Sequence, residues 1–142
     1  MKLSCRLWTA FSSAIIVALV AIPFAEAAGE TGPKAKSTLL LEQELEGLPG
    51  YVVQIVLVEG PPGWVGGRHY HPGHLFGYIL EGSYELNFDD LTSRIVGPGE
   101  VFYESPNTVM RSRNGSSTEW VRDVVFHVKR KEDPPAVSVE GD

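Results

Sequence analysis

Cysteine is nearly absent from this chain of 142 residues, because Cys5 is the only one. A disulfide within the chain is therefore excluded. Basic residues are also few, with 12 lysines and arginines against 18 aspartates and glutamates, and the net charge is −6. Nucleic acid is not expected as a partner, because phosphate binding requires a basic surface.

Long hydrophobic runs are confined to the N-terminus. Residues 1–6 carry Lys2 and Arg6, residues 7–24 are mostly apolar and uncharged, and Ala25-Glu26-Ala27 has the small-x-small form of a signal-peptidase site. This order predicts a cleaved signal peptide over residues 1–27, with a secreted or periplasmic mature chain that no longer contacts the membrane. The alternative is a retained membrane anchor, since a run of this length would span a bilayer.

The mature chain lacks a helical period of ten or more residues. Short runs rich in β-branched and aromatic residues alternate with Gly/Pro turns instead, which predicts an all-β sandwich or barrel in a single domain. The predicted strands lie at residues 39–41, 51–58, 84–88, 94–96, 101–103 and 120–128. We expect a flexible linker over residues 28–36, the domain over 37–131 and a disordered tail over 132–142.

Histidine is scarce but clustered, since three of the four fall at positions 69, 71 and 74. Side chains two apart on a strand point the same way, so His69 and His71 would present two imidazoles to one point. Neutral imidazole suits zinc, copper, iron and nickel. The alternative is a pair of histidines on a solvent-facing strand.

The flanks of this pair resemble the first motif of the cupin superfamily. Gly63 stands six residues before His69, and the hydrophobic stretch 78–81 ends at Gly82, as in that motif. Counting back from Gly82 places Leu75 where the family keeps its metal-binding glutamate. Residues 99–114 resemble the second motif loosely, with either Met110 or Arg111 where the family has its last histidine.

The resemblance implies a cupin-like β-barrel, which is a double-stranded β-helix or jelly roll, with a divalent metal ion such as zinc, iron, manganese or copper. His69 and His71 would be ligands. His74 is the predicted third ligand, because Pro72-Gly73 interrupts the strand and would turn it back toward the pair; the alternative is a solvent-exposed turn position. Leu75, Tyr103, Met110 and Arg111 are candidate pocket or former ligand positions. His127 is expected to be structural or exposed.

Two functions remain open at this level. One is a metal-dependent enzyme similar to the dioxygenases and isomerases of the superfamily, for which the sequence assigns neither substrate nor catalytic residues. The other is a binding or sensing module that has lost the metal and holds a small molecule. The resemblance also implies a homodimer, since cupin-like barrels often pair through sheet edges, and the apolar run Leu39-Leu40-Leu41 is the candidate edge.

Overall fold

The computed structural model describes residues 32–140, which contain ten β-strands and no helix. The predicted signal peptide and residues 28–31 of the predicted linker lie outside this range. Among the described residues, no helix is present that would be long and apolar enough to cross a membrane. The strands are β1 (Lys36–Glu44), β2 (Tyr51–Gly60), β3 (His69–Tyr70), β4 (His74–Glu81), β5 (Tyr84–Phe88), β6 (Ser93–Val96), β7 (Val101–Glu104), β8 (Met110–Asn114), β9 (Val121–Arg130) and β10 (Val137–Ser138).

The strands form two five-stranded antiparallel sheets. One has the order β1-β2-β9-β4-β7 and the other β10-β3-β8-β5-β6. The chain passes from β4 to β5 and from β6 to β7 across the two sheets, and their inner faces enclose one apolar core. The largest fully buried apolar side chains in that core are Ile79, Leu86, Met110, Val52, Val96 and Val121. The predicted all-β jelly roll is confirmed.

Strand β9 has an unusual distribution of polarity. Its inward face carries Asp123, His127 and Lys129, all buried, whereas Phe126 on the outward face is 40% exposed. Apolar residues normally mark the inner face of a half-buried strand. On β9 these three polar side chains share the inner face with Val121 and Val125, so the strand brings titratable groups into the barrel.

The glycine that ends the first motif has a clear steric role. Gly82 lies in the turn between β4 and β5 with φ +80°, a conformation that other residues rarely adopt. A Cβ atom there would also collide with the backbone of Trp120 and Val121. The turn therefore requires glycine and fixes where β4 ends.

Asn114, at the end of the second motif, ties three loops together. Its Nδ2 donates hydrogen bonds to the carbonyls of Gly60, Pro61 and Glu119, at 3.2, 3.0 and 2.7 Å. Its Oδ1 accepts one from the Ser116 N–H at 2.8 Å. The side chain is 5% exposed, so this asparagine serves the fold rather than a ligand.

The expected disordered tail needs correction. Residues 137–138 form β10, which pairs with β3 in the register Val137 to Tyr70 and Ser138 to His69. The Val139 N–H also donates to the Arg68 carbonyl at 2.9 Å. The tail is held through its backbone, which its polar, proline-rich composition does not reveal.

Candidate metal and ligand site

A cavity of about 450 Å³ opens between the two sheets. The aromatic side chains of Trp64, Tyr84 and Phe102 and several aliphatic ones form most of its wall. Among the described residues that line it there is no lysine or arginine. Its polar lining comes from Ser37, Gln54, His69, His71, Glu104, Ser112 and His127.

His69 and His71 both line this cavity, as strand parity predicts, with ring centroids 4.9 Å apart. The Nδ1 of His69 lies 2.9 Å from the Gly67 carbonyl, and that of His71 lies 2.7 Å from the Pro135 carbonyl. A carbonyl only accepts hydrogen bonds, so each Nδ1 carries the proton and each Nε2 of a neutral ring has a free lone pair. Protein metal sites orient their histidines in this way.

A row of four side chains crosses the inner face of the sheet at this level. Gln54 is paired with His127, His127 with Leu75, and Leu75 with Glu104. Leu75 therefore lies between an imidazole and a carboxyl group on the two neighbouring strands. The ring of His127 is 5.3 Å from that of His71, centroid to centroid, which places a third histidine beside the first two.

Glu104 and His127 are buried with unsatisfied polar atoms. Each is 3–4% exposed, and neither Glu104 Oε2 nor His127 Nε2 has a hydrogen-bond partner among the described residues. Glu104 Oε2 is 3.3 Å from His71 Nε2 without forming a hydrogen bond. Burial, and then the nearby Asp123, raise the pKa of Glu104 to about 8. Such buried atoms without partners make Glu104 and His127 candidates for contacting a ligand in the cavity.

The same burial keeps His71 and His127 neutral. It lowers the pKa of His127 to about 4, with smaller effects from His71 and Lys129. It is also the main reason why the pKa of His71 is lowered, although the hydrogen bond to Pro135 opposes the shift. Neutral imidazoles are the form that binds metals.

The structure does not bring His74 to this cluster, which corrects the predicted third ligand. His74 begins β4 on the outer face, since Leu75 next to it points inward, and it is exposed. Its Nδ1 shares a hydrogen bond of 2.8 Å with the hydroxyl of Tyr103. Tyr103 is 46% exposed on the outer face of β7, so it is not a residue of the cavity either.

The two candidate positions on β8, Met110 and Arg111, lie on opposite faces of the strand. Met110 is 1% exposed in the core and lies directly opposite His69 on β3. It therefore occupies the place beside the histidine pair where the second motif would put its histidine. Arg111, the next residue, is on the other face of β8. Leu75 lines the cavity, as expected for a former ligand position.

The side chains of this cluster are not arranged as a closed coordination sphere. Within residues 32–140, no three His, Cys, Asp or Glu side chains are positioned to hold one metal ion as they stand. The donor types, however, fit such an ion: three imidazoles and one carboxyl group suit manganese, iron, copper or zinc. The unpartnered Nε2 and Oε2 atoms would have to turn toward a common point.

A second acid lies deeper in the barrel. Asp123 is fully buried, and neither of its carboxyl oxygens has a hydrogen-bond partner among the described residues. Burial raises its pKa to about 7. It also raises the pKa of Tyr84, with Asp123 and Glu104 adding to the effect. Burial in and beside the cavity therefore favours the neutral forms of both acids and of the Tyr84 phenol.

Phe102 owes its position to Gly77. These residues are paired on neighbouring strands, and a Cβ atom on Gly77 would collide with the ring of Phe102. The ring fills the space beside Gly77 and stacks on Tyr84 with centroids 5.3 Å apart. The glycine thus keeps this side of the cavity open.

A barrel of two antiparallel sheets with an inward His-x-His pair agrees with the result of sequence comparison. The family described as "Cupin domain" matches residues 56–124, which include β3 to β8 and both motifs. This chain belongs to the cupin superfamily. Among curated proteins, none matches this cupin in sequence.

Solved structures similar to this cupin show the same fold. A cupin-like protein from Thermotoga maritima has a TM-score of 0.63 and 19% identity, over 78% of this chain and 82% of that one. A protein with a double-stranded β-helix domain from Klebsiella pneumoniae has a TM-score of 0.60 and 18% identity, over 80% and 90%. The DMSP lyase DddQ from Ruegeria pomeroyi has a TM-score of 0.56 and 22% identity. The match covers 63% of this chain and 45% of the lyase, so the cupin spans less than half of that enzyme.

Two residues of the cupin cavity were not predicted from the sequence. Glu104 was not considered, and His127 was expected to be structural or exposed. The available signal was strand parity, since Glu104 shares a face with the core residue Phe102, and His127 shares one with the buried Val121 and Val125. Because β9 also carries apolar residues on its other face, the sequence pattern did not show which face of the strand points inward.

Proposed function

We propose that this cupin binds one divalent transition-metal ion in its cavity, through Nε2 of His69, His71 and His127 and the carboxylate of Glu104. The observation that carries the proposal is the set of free donor atoms. The Nε2 lone pairs of His69 and His71 are fixed by carbonyl partners on Nδ1. Two side chains of the cavity wall, Glu104 and His127, each have one buried atom without a hydrogen-bond partner among the described residues. All four side chains line the same cavity.

The ligand positions differ from those of the two motifs. Leu75 and Met110 occupy the places where the motifs would supply a glutamate and a histidine. Glu104 is the cross-strand partner of Leu75, and His127 is its partner on the other side. The neighbouring strands β7 and β9 would thus supply the donor types that β4 and β8 lack.

The charge state of the site favours a cation over an empty cavity. Burial keeps the imidazoles of His71 and His127 neutral, and it leaves Glu104 largely protonated near neutral pH. A metal ion would displace the proton of Glu104 and give its carboxylate a partner. It would also compensate the burial of that charge, which is costly when unpaired.

The remaining wall indicates which molecules would bind beside the ion. Trp64, Tyr84 and Phe102 offer an apolar surface, and no basic side chain lines the described cavity to pair with a phosphate or a dicarboxylate. A small, mostly apolar organic molecule with one oxygen directed at the metal fits this chemistry. A metal with open positions supplies Lewis acidity toward such an oxygen, as cupin-type dioxygenases and isomerases require.

Metal analysis and calorimetry test this proposal. The purified wild type, loaded in turn with zinc, manganese, iron and copper, should hold one ion per chain. His71→Ala and His127→Ala should each weaken binding at least tenfold, since a site of this size does not remain specific after losing a ligand. His74→Ala is the matched control and should bind as the wild type does. A wild type that takes up none of the four metals, or a His127→Ala protein with unchanged affinity, would refute the assignment.

A second candidate is a metal-free binding module for a small organic molecule. It is favoured by the leucine and methionine at the motif positions and by the absence of a preformed ligand triad within residues 32–140. In that case, apolar ligands from a small-molecule set should raise the melting temperature equally with and without a chelator. They should also bind equally to the wild type and to His71→Ala.

The proposal includes export of the mature chain to the periplasm or the medium. Its support is the order of basic, apolar and small residues at the N-terminus. N-terminal sequencing of the exported protein should give a chain that begins at or near Ala28. A membrane-bound protein that still begins at Met1 would contradict export.

A further inference from the structure

The C-terminal segment reaches the cavity from outside the motifs. We name residues 133–139 the C-terminal strap. Pro135 and Ala136 in the strap line the cavity, and the Pro135 carbonyl accepts the hydrogen bond from Nδ1 of His71 at 2.7 Å. The backbone group that sets the tautomer of His71 therefore belongs to the last described part of the chain.

The strap is attached at both ends. At its start, Nζ of Lys129, a residue that is 3% exposed, donates to the Asp133 carbonyl at 2.8 Å. At its end, β10 pairs with β3, and the Val139 N–H donates to the Arg68 carbonyl at 2.9 Å. The segment between these points passes directly over His71.

The attachment at the far end is short. Strand β10 has two residues, and both it and its partner β3 are among the shortest strands of the described chain. Small ladders with few buried contacts open locally far more readily than core strands. The strap would therefore detach while the ten-residue strands β2 and β9 remain paired.

We propose that the C-terminal strap is a positioning element of the site: the Pro135 carbonyl fixes His71 in the Nδ1–H tautomer with Nε2 toward the cavity, and release of the strap frees that ring and opens the cavity. The effect on metal affinity rests on the proposed function above. The effect on the tautomer does not, since it concerns the metal-free protein.

The central test compares Val139→Pro with Val139→Ala in the full chain. Proline removes the N–H that bonds to Arg68, whereas alanine keeps it, so the two variants differ in strap attachment. Nitrogen-15 NMR of the histidine rings in the metal-free protein reports the tautomer directly. We expect the His71 signal of the wild type and of Val139→Ala to show a protonated Nδ1, and that of Val139→Pro to show a mixture of tautomers.

Metal affinity gives the second measurement. Loss of a hydrogen-bond partner behind a ligating histidine typically lowers affinity about 10–100-fold. Val139→Pro should therefore bind zinc or manganese at least several-fold more weakly than Val139→Ala. Hydrogen exchange should show that the amides of β9 keep their protection, so that a general loss of structure is excluded.

The possible results separate the two proposals. If the wild type binds no metal but Val139→Pro mixes the tautomers of His71, the proposed function fails and the role of the strap stands. A chain shortened to end at Glu132 gives a stronger perturbation of the same contact. If the ring of His71 keeps a single Nδ1–H tautomer both in that shortened chain and in Val139→Pro, the strap does not position it, and the inference is wrong.

Discussion

Leu75 and Glu104 lie directly opposite each other on β4 and β7, both facing the cavity. Residues in such cross-strand pairs have Cβ atoms about 5 Å apart. A carboxyl group moved from one position to the other therefore stays at the same level of the barrel. This relationship explains how the cavity contains an acid although the motif position holds a leucine.

Exchanging the two residues should preserve metal binding. Glu104→Leu alone should weaken affinity at least tenfold, because the only carboxylate of the proposed ligand set is lost. Adding Leu75→Glu to that variant should restore most of the affinity, since the acid returns one strand away. Isothermal titration with zinc or manganese measures both effects. A double variant that binds as weakly as Glu104→Leu would contradict the equivalence of the two positions.

Asp123 should make the protein less stable as the pH rises. Its pKa is about 7 in the folded protein against an ordinary value of 3.8. The folded state therefore holds a proton that the unfolded state releases, and the free energy of unfolding falls as pH increases from about 4 to 7. Asp123→Asn should remove this dependence and be more stable than the wild type at pH 8, by up to about 4 kcal/mol, since one pKa unit is worth over 1 kcal/mol.

Urea unfolding of both proteins at pH 5 and pH 8, with chelator present, measures this difference. Glu104 contributes to the pH dependence in the same direction, because its pKa is also raised. Because Asp123 helps to raise that pKa, Asp123→Asn also lowers the contribution of Glu104, and the comparison measures both effects together. Equal pH dependence in the wild type and in Asp123→Asn would show that Asp123 is not protonated in the folded state.

Asn114→Ala should destabilise the barrel strongly. It removes four hydrogen bonds and leaves the carbonyls of Gly60, Pro61 and Glu119 without this donor. At about 1 kcal/mol for each bond, the loss should be about 3–4 kcal/mol. Thermal unfolding measures it. Asn107→Ala, at an asparagine with φ +60° in the loop before β8, is the control and should lose only about 1 kcal/mol, the cost of alanine in that conformation. A loss below 1 kcal/mol would contradict the role given to Asn114.

The homodimer remains a prediction, and β1 is its candidate surface. Leu39, Leu40 and Leu41 are 46–55% exposed on this edge strand. The register of β1 shifts between Leu39 and Leu41, and such irregularities limit continuous strand pairing. We therefore expect contact through the leucine side chains. Leu40→Lys should give a monomer mass in light scattering.

Phe76→Lys is the matched control for this dimer. Phe76 is 47% exposed in the apolar outer face of β4, away from β1. If only Phe76→Lys yields monomers, the interface lies on that face. A wild type that is monomeric at high concentration would refute the dimer altogether.

The histidine pair was predictable because its geometry is local. His69 and His71 share a face through the two-residue period of a strand, and the glycines around them mark turns. The placement predicted for His74, beside the histidine pair, differs from the structure because it depends on where β4 begins. A shift of one residue in that start decides whether the side chain points inward or outward. In the structure Leu75 points inward, so the preceding residue, His74, points outward.

His127 and Glu104 were not predictable in the same way. Their proximity arises from the pairing of β9 and β7 with β4, and these strands are far apart in the sequence. In addition, β9 carries apolar residues on its outer face, which hides the direction of its polar side chains. The strap was missed because backbone hydrogen bonds leave no signature in composition.

Gly77 has a consequence for the range of molecules that a barrel like this one accepts. The Phe102 ring occupies the space that a side chain at position 77 would need. Alanine or a larger residue there would displace the ring toward the interior and shorten the cavity, without touching any histidine. Ligand size and metal chemistry are thus controlled by separate residues. Selection, natural or in the laboratory, would be able to change one while leaving the other intact.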